Sequence, residues 1–315
     1  MAAAPLLCDV LRREAAPANA RPRRHLPEQS MTQDNHHLSR RTALRTVAGA
    51  ALASVAGCLD SNGSTTPNGS ESPADGSGVF QQVTVDGTAL VVEFAADSEF
   101  DQINLIQPNG ELFGQREVAA GSQQVSFELG TSYAPGEYEV VALNGEETVG
   151  ESSLSVQPTL EIVEMGIGRN QPDEMWDGPE DKTEEEAFVT VENRGSGPDA
   201  VTKLLFIGDV PYPSDEEGTN YVDDEDVSGI YDPESDSEVE QVTIAPGAQV
   251  TIYSSRSPFA FVPGAGTSCS DEAKTGEFEL ILETRAGGDR ITKTYSIQYS
   301  ASQDSDSCDI SISEA

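Results

Sequence analysis

Nucleophilic and zinc chemistry in proteins draws heavily on histidine and cysteine, and this sequence uses both sparingly. The three histidines are His25, His36 and His37, and none follows position 37. Beyond that point the chain cannot assemble a Ser-His-Asp or Cys-His pair. It also lacks imidazole ligands for zinc or a blue-copper centre. Cys269 and Cys308 are the only cysteines after Cys58. In an oxidising compartment they pair most simply as a disulfide closing a loop of about 40 residues, worth about 4 kcal/mol in the chain-entropy model. Carboxylates are so abundant, at 55 Asp+Glu in 315 residues, that some pair falls at any chosen spacing. Spacing alone therefore carries no information on acid–base work. The glycines are scattered at turns, and no Gly-rich phosphate loop occurs. The expectation is a protein without catalytic activity and with no required cofactor.

Residues 215–240 hold twelve Asp+Glu and no Lys or Arg. Within them, Asp224-x-Asp226-x-Ser228-Gly229-x-x-Asp232 resembles the first nine positions of an EF-hand loop, where alternate oxygens wrap one hard cation and Gly makes the sharp turn. The twelfth position is Ser235 in place of a bidentate Glu, and Pro233 interrupts the exit. Two readings stand: a solvated acidic loop, or a weak Ca²⁺ or Mg²⁺ site on Asp224, Asp226, Ser228 and Asp232. Trp176, the only tryptophan, sits in another acidic stretch. It either stacks on a sugar ring or anchors a partner, or folds back on its own domain.

The N-terminal region reads as a processing signal. Arg40-Arg41 precedes a short apolar, small-residue run, Thr46 to Gly57, and then Cys58. Twelve residues span about 18 Å as a helix, short of the ~30 Å hydrocarbon core. The arginine pair resembles a twin-arginine export signal, and Val55-Ala56-Gly57-Cys58 resembles a lipobox. That resemblance implies cleavage before Cys58, lipid on Cys58, and residence on the extracytoplasmic face of the membrane. Counted from Met31 the signal has ordinary length, so residues 1–30 read as an over-extended start; a regulatory extension is the other reading. Residues 59–78 are rich in Ser, Gly, Thr, Pro and Asn and form a flexible tether. Asn62-Gly-Ser and Asn68-Gly-Ser within it are glycosylation sequons, although a Ser/Asn-rich linker also yields such triplets by chance.

Removing residues 1–57, with their eight Arg and four Asp+Glu, leaves ten basic and 51 acidic residues, a net charge of −41. Such a polyanion is repelled by every phosphate of a nucleic acid. Its self-repulsion is relieved at molar salt, where the Debye length falls to about 3 Å. The acidity, the four lysines and the export signal resemble exported proteins of halophilic archaea, which makes the acidity mostly solvent adaptation.

Residues 79–157 and 158–315 are read as two domains. The first contains seven period-2 runs, Val79–Val85, Leu90–Ala95, Ile103–Gln107, Leu112–Arg116, Gln124–Leu129, Glu137–Leu143 and Ser152–Val156. Asn109-Gly110 and Asn144-Gly145 mark two-residue hairpin turns between them. Seven short strands in about 80 residues predict a β-sandwich. Ala134-Pro-Gly-Glu-Tyr-Glu-Val140 resembles the strand entry of immunoglobulin-like domains, which makes Tyr138 a tyrosine corner. The second domain has strand candidates at Leu160–Gly166, Ala187–Glu192, Val201–Ile207, Val242–Ile244, Gln249–Tyr253, Phe278–Thr284 and Ile291–Tyr299. Phe188-Val-Thr-Val-Glu-Asn193, then Gly195-Ser-Gly-Pro198, resembles CARDB-type adhesion-related domains, and Ile244-Ala-Pro-Gly-Ala-Gln-Val-Thr-Ile252 and Gly276-Glu-Phe-Glu-Leu-Ile281 fit the same scheme. Insertions at 170–186 and 209–240 depart from that pattern. The expected fold is all-β, two tandem immunoglobulin-like β-sandwiches after a signal peptide and tether.

The expected function is that of a lipid-anchored adhesion, scaffold or envelope-binding protein. Its partners are the membrane, through the lipid on Cys58, and a cell-envelope protein or glycan. The alternatives are a solute-binding lipoprotein serving a transporter, which requires a large apolar cleft between α/β lobes, and a hydrolase using carboxylates alone.

Overall fold

The computed structural model describes residues 78–216, 220–262, 269–288, 290–302 and 308–315. Arg40, Arg41, Cys58, Asn62 and Asn68 lie outside the described residues.

The first sandwich is built from β1 (Phe80–Asp86), β2 (Ala89–Phe94), β3 (Gln102–Ile106), β4 (Leu112–Glu117), β5 (Gln124–Glu128), β6 (Gly136–Asn144) and β7 (Glu147–Val156). One sheet runs β1-β2-β5 and the other β4-β3-β6-β7, all neighbours antiparallel. Alternation drives the assembly. On β6, Tyr138, Val140 and Ala142 are fully buried while Glu137 and Glu139 face solvent. Ile103 and Leu105 sit beside them on β3, and Leu90, Val92, Phe94 and Phe127 of the facing sheet complete the core, each large apolar side chain contributing about 1.5–3 kcal/mol by burial. Tyr138 donates its hydroxyl to the carbonyl of Ala134, four residues upstream, at 3.0 Å, the tyrosine-corner bond.

The turns differ in detail from the expectation. Asn144 pairs with Glu147, so Gly145-Glu146 form the two-residue turn, with φ +60° at Gly145. Positive φ at the first central position alone is the pattern of a type II′ turn. Asn109-Gly110 belongs to a longer loop. Gln107 N–H bonds Glu111 O, Gly110 N–H bonds Gln107 O, and Gly110 has φ +83°. Pro108 after Gln107 favours a type I turn closed by a left-handed Gly, so this hairpin is not a two-residue one.

The second sandwich contains β8 (Leu160–Ile167), β9 (Ala187–Asn193), β10 (Asp199–Gly208), β11 (Ile230–Asp232), β12 (Ser237–Glu238), β13 (Val242–Ile244), β14 (Gln249–Ser254), β15 (Lys274–Thr284), β16 (Arg290–Ala301) and β17 (Cys308–Glu314). Its sheets run β12-β11-β14-β9-β8 and β13-β10-β15-β16-β17. The triplets β8-β9-β14 and β10-β15-β16 repeat the division seen in the first sandwich as β1-β2-β5 and β3-β6-β7. The described residues are thus all-β apart from single helical turns, two immunoglobulin-like sandwiches in tandem. β11, β12 and β17 are additions at sheet edges and were not among the expected strands. β17 is tied by the disulfide between Cys269 and Cys308, 39 residues apart with Cα atoms 6.1 Å apart.

A hydrogen-bonded joint couples the sandwiches. Buried Tyr133 donates its hydroxyl to Pro198 O at 3.0 Å, and Ser196 Oγ donates to Ser155 O at 2.7 Å. Asn193 organises the loop that makes these contacts. Fully buried, it donates to Gly197 O and Ile244 O and accepts from the N–H groups of Thr159 and Gly195. Gly197 is required there, because a Cβ would lie 2.1 Å from the Tyr133 hydroxyl. Buried Asp199 accepts N–H bonds from Ala200, Arg285, Ala286 and Gly287, pinning the β15–β16 turn beside the joint.

Candidate functional site

The two acidic insertions meet. The first leaves β8 at Ile167, passes a 3₁₀ turn at Pro172–Glu174 and buried Met175, and re-enters β9 through the single-turn α1 (Glu180–Thr183). The second adds the β11–β12 hairpin to the edge of β14. Tyr231 on β11 and Tyr253 on β14 are cross-strand partners, so their rings leave the sheet together. Trp176 packs on both, with ring centroids 4.6 Å from Tyr231 and 5.2 Å from Tyr253. Such aromatic pairs add about 0.5–1.5 kcal/mol beyond area burial. Tyr253 donates to Glu174 O and Tyr231 to Asp236, fixing each ring. Trp176 therefore folds onto its own domain and yet stays partly exposed, on the wall of a cavity of about 290 Å³.

Glu186 closes the cavity floor. It is buried, and its carboxylate accepts the hydroxyls of Ser254 and Ser257 and the N–H of Ser257. Burial pushes its carboxyl above the usual carboxylate range, while the three donors pull the other way. Burial likewise raises Glu185, with Arg169 opposing. Next to them Glu238 accepts Ser255 Oγ and Arg256 Nε on one oxygen and the N–H of Ser228 on the other. These carboxylates were missed by the sequence reading, because nothing local distinguishes them from their many acidic neighbours.

The EF-hand-like residues are spent separately. Asp224 Oδ1 accepts the Asp226 N–H, and Ser228 Oγ donates to Val239 O while accepting the Ile230 N–H. Asp232 accepts the N–H groups of Glu234 and Ser235 and the Ser235 hydroxyl, and the hydroxyl bond leads in holding its carboxyl below the usual range. Among the described residues no three His, Cys, Asp or Glu side chains form a metal-holding group. The loop's inward carbonyls instead meet a side-chain cation. Lys203 is only 6% exposed, and its Nζ donates to the carbonyls of Tyr221, Val222 and Asp224 at 3.1, 2.9 and 2.8 Å. A register shift between Val201 and Lys203 resets the alternation of β10. Leu204 and Phe206 then enter the main core, while Leu205 and Ile207 join Tyr221, Val222 and Val227 in a small cluster under the acidic loop. In the same cluster, burial pushes the Tyr221 hydroxyl up to about 12; it accepts from Ser214 and donates to Leu204 O.

No protein-family model and no curated protein matches the chain. Among solved structures, it is similar to a two-domain fibronectin type III segment of chicken tenascin at 13% identity and a TM-score of 0.23, covering 71% of this chain and 97% of that one. A biofilm-associated protein BSP domain matches at 10% identity and a TM-score of 0.22, covering 74% and 28%. A glycosyl hydrolase family 2 member from Bacteroides cellulosilyticus matches at 14% identity and a TM-score of 0.20, covering 66% and 23%. This chain thus spans about a quarter of that hydrolase's length.

Proposed function

We propose that this protein is a lipid-anchored adhesion, scaffold or envelope-binding module on the extracytoplasmic face of the membrane, without catalytic activity. The observation that carries this reading is the joint at Tyr133, Asn193, Ser196 and Pro198, which holds two sandwiches as one unit and suits projection of a binding surface away from an anchor. The lipobox-like Val55–Cys58, the twin arginines and the polar tether supply the anchor and reach. Lack of histidine after position 37 supports the non-catalytic reading. Buried Glu186 has its carboxylate committed to Ser254 and Ser257, as a structural tie would. The net charge of −41 beyond residue 57 fits a surface built for molar salt, as in exported proteins of halophilic archaea. The described residues form sheets and one four-residue α-helix, which offers no α/β lobes for the solute-binding alternative.

The test is fractionation of cells expressing the wild type and Cys58→Ser, with lipid mass measured on the wild type and crosslinking in intact cells at native salt. Wild-type protein in the membrane fraction, a released mutant and a crosslinked envelope component are expected. A mutant that still pellets, with no lipid on the wild type, refutes the anchor.

A further inference from the structure

We infer that the cavity beside Trp176 is a binding site for a neutral hexopyranose unit. The inference deepens the envelope-binding reading and rests on it for the identity of the natural partner. Pockets that orient small ligands combine an apolar wall with a few convergent polar groups, and they start at about 300 Å³. This cavity, of about 290 Å³, has Trp176 and Tyr231 as its aromatic wall, with Asp181, Lys182 and Glu185 among its polar lining. Glu186, Ser254 and Ser257 make its floor, already locked to one another.

Two features select the ligand class. A pyranose offers a flat C–H face and a belt of hydroxyls that each donate and accept, so it suits an aromatic wall ringed by donors and acceptors together. Lys182 supplies donors and Asp181 and Glu185 supply acceptors. Among the described residues, the side chains of Asp181 and Lys182 hold no hydrogen bond or ion pair with the protein, and Glu185 has only the electrostatic pull of Arg169. An organic cation has the opposite needs. The aromatic face and the carboxylates would attract it and Lys182 offsets only one of those carboxylates, but the hydrogen-bond donors of Lys182 would go unused, so tetramethylammonium is the competing ligand the titration must include. The first insertion delivers Trp176, Asp181, Lys182 and Glu185, and the second delivers Tyr231. The site therefore exists only because both insertions converge.

Trp176 is the sole tryptophan of the chain, so tryptophan emission reports this cavity alone. The full chain, in detergent and about 2 M KCl to screen its charge, is titrated with glucose, galactose, mannose and N-acetylglucosamine, with their trisaccharides, and with tetramethylammonium chloride at matched ionic strength. A saturable shift with at least one hexose is expected, with Kd about 1 mM, and no saturable response to tetramethylammonium. Asp181→Asn and Lys182→Ala, both at exposed positions, should each weaken binding at least fivefold while leaving the melting temperature unchanged. Tighter binding of a trisaccharide than of its hexose identifies a glycan chain as the source, and equal binding identifies a free solute. Three results overturn the proposal: a saturable response to tetramethylammonium alone, no saturable response to any ligand, or hexose binding indifferent to both substitutions. Because the titration needs no membrane, its failure leaves the anchor untouched, and failure of the fractionation leaves the titration valid.

Discussion

Replacing Lys203 by Met tests whether the acidic loop is organised by a side-chain cation or by a metal. Methionine preserves most of the buried aliphatic stem and removes the ammonium. Three carbonyls, at Tyr221, Val222 and Asp224, lose their donor. A hydrogen bond to a charged group contributes about 1.5–3 kcal/mol net, which for three gives an upper figure of about 5–9. Two effects offset this. The ammonium no longer has to be desolvated, and the loop beside it, with exposed Asp223 and Asp224, can turn its carbonyls to water. A net loss of about 2–4 kcal/mol follows, equivalent to a fall of about 5–15 °C in the melting temperature of a sandwich this size. The assay is thermal unfolding in about 2 M KCl, with and without millimolar CaCl₂, for wild type, Lys203→Met and Asp224→Asn/Asp226→Asn. Ca²⁺ bound at a hundredfold excess over Kd would stabilise by about 2.7 kcal/mol. The expected result is a lower melting temperature in Lys203→Met and superimposable wild-type curves with and without Ca²⁺. A Ca²⁺-specific rise in the wild type that disappears in the double aspartate variant, or an unchanged Lys203→Met, would refute the reasoning.

Cys269→Ala opens a loop of 39 residues and should cost about 4 kcal/mol in the chain-entropy model; free thiols on both cysteines of the native protein would contradict the pairing. Gly197→Ala places a Cβ 2.1 Å from the Tyr133 hydroxyl. It should destabilise by about 1–3 kcal/mol and widen the small-angle scattering envelope, whereas an unchanged envelope would deny the joint its role. For Glu186, burial raises the folded carboxyl above its unfolded value of about 4.3. The folded state then binds the proton more readily, and stability rises as pH falls from the raised value through the unfolded one. Measured relative to Glu186→Gln across that window, wild-type stability should improve on acidification, and a pH-independent difference would be the wrong outcome.

The strands of both sandwiches were legible because period-2 alternation is a local property. Leu90, Val92 and Phe94 point inward simply by sitting two apart, and the β6–β7 turn declares itself through Gly145. Tyr138 was readable too, since its bond reaches only four residues back. β17 carried a usable signal in the alternation of Ile310 and Ile312, but its seven residues follow a polar stretch and pass for a tail. β11 and β12 are three and two residues long, too short for any period to register.

The candidate site belongs to tertiary structure almost entirely. Composition alone confined histidine to the first 37 residues and set the charge, since counting needs no coordinates. No local pattern marks Lys203 as the cation of a loop some twenty residues away, because its inward turn depends on a register shift in β10 against β15. Glu186 differs from exposed Glu184 only through the serines that pairing of β14 with β9 brings to it. Trp176 meets Tyr231 across 54 intervening positions, and that contact exists only once the second insertion has added its hairpin to the sheet edge. Sequence by itself determined strand periodicity, charge and the placement of histidine, because each is a sum over neighbours or a count. The cavity, the buried carboxylate and the captive lysine were decided by non-local strand pairing, because pairing alone chooses which of many similar acidic, serine and aromatic residues become neighbours.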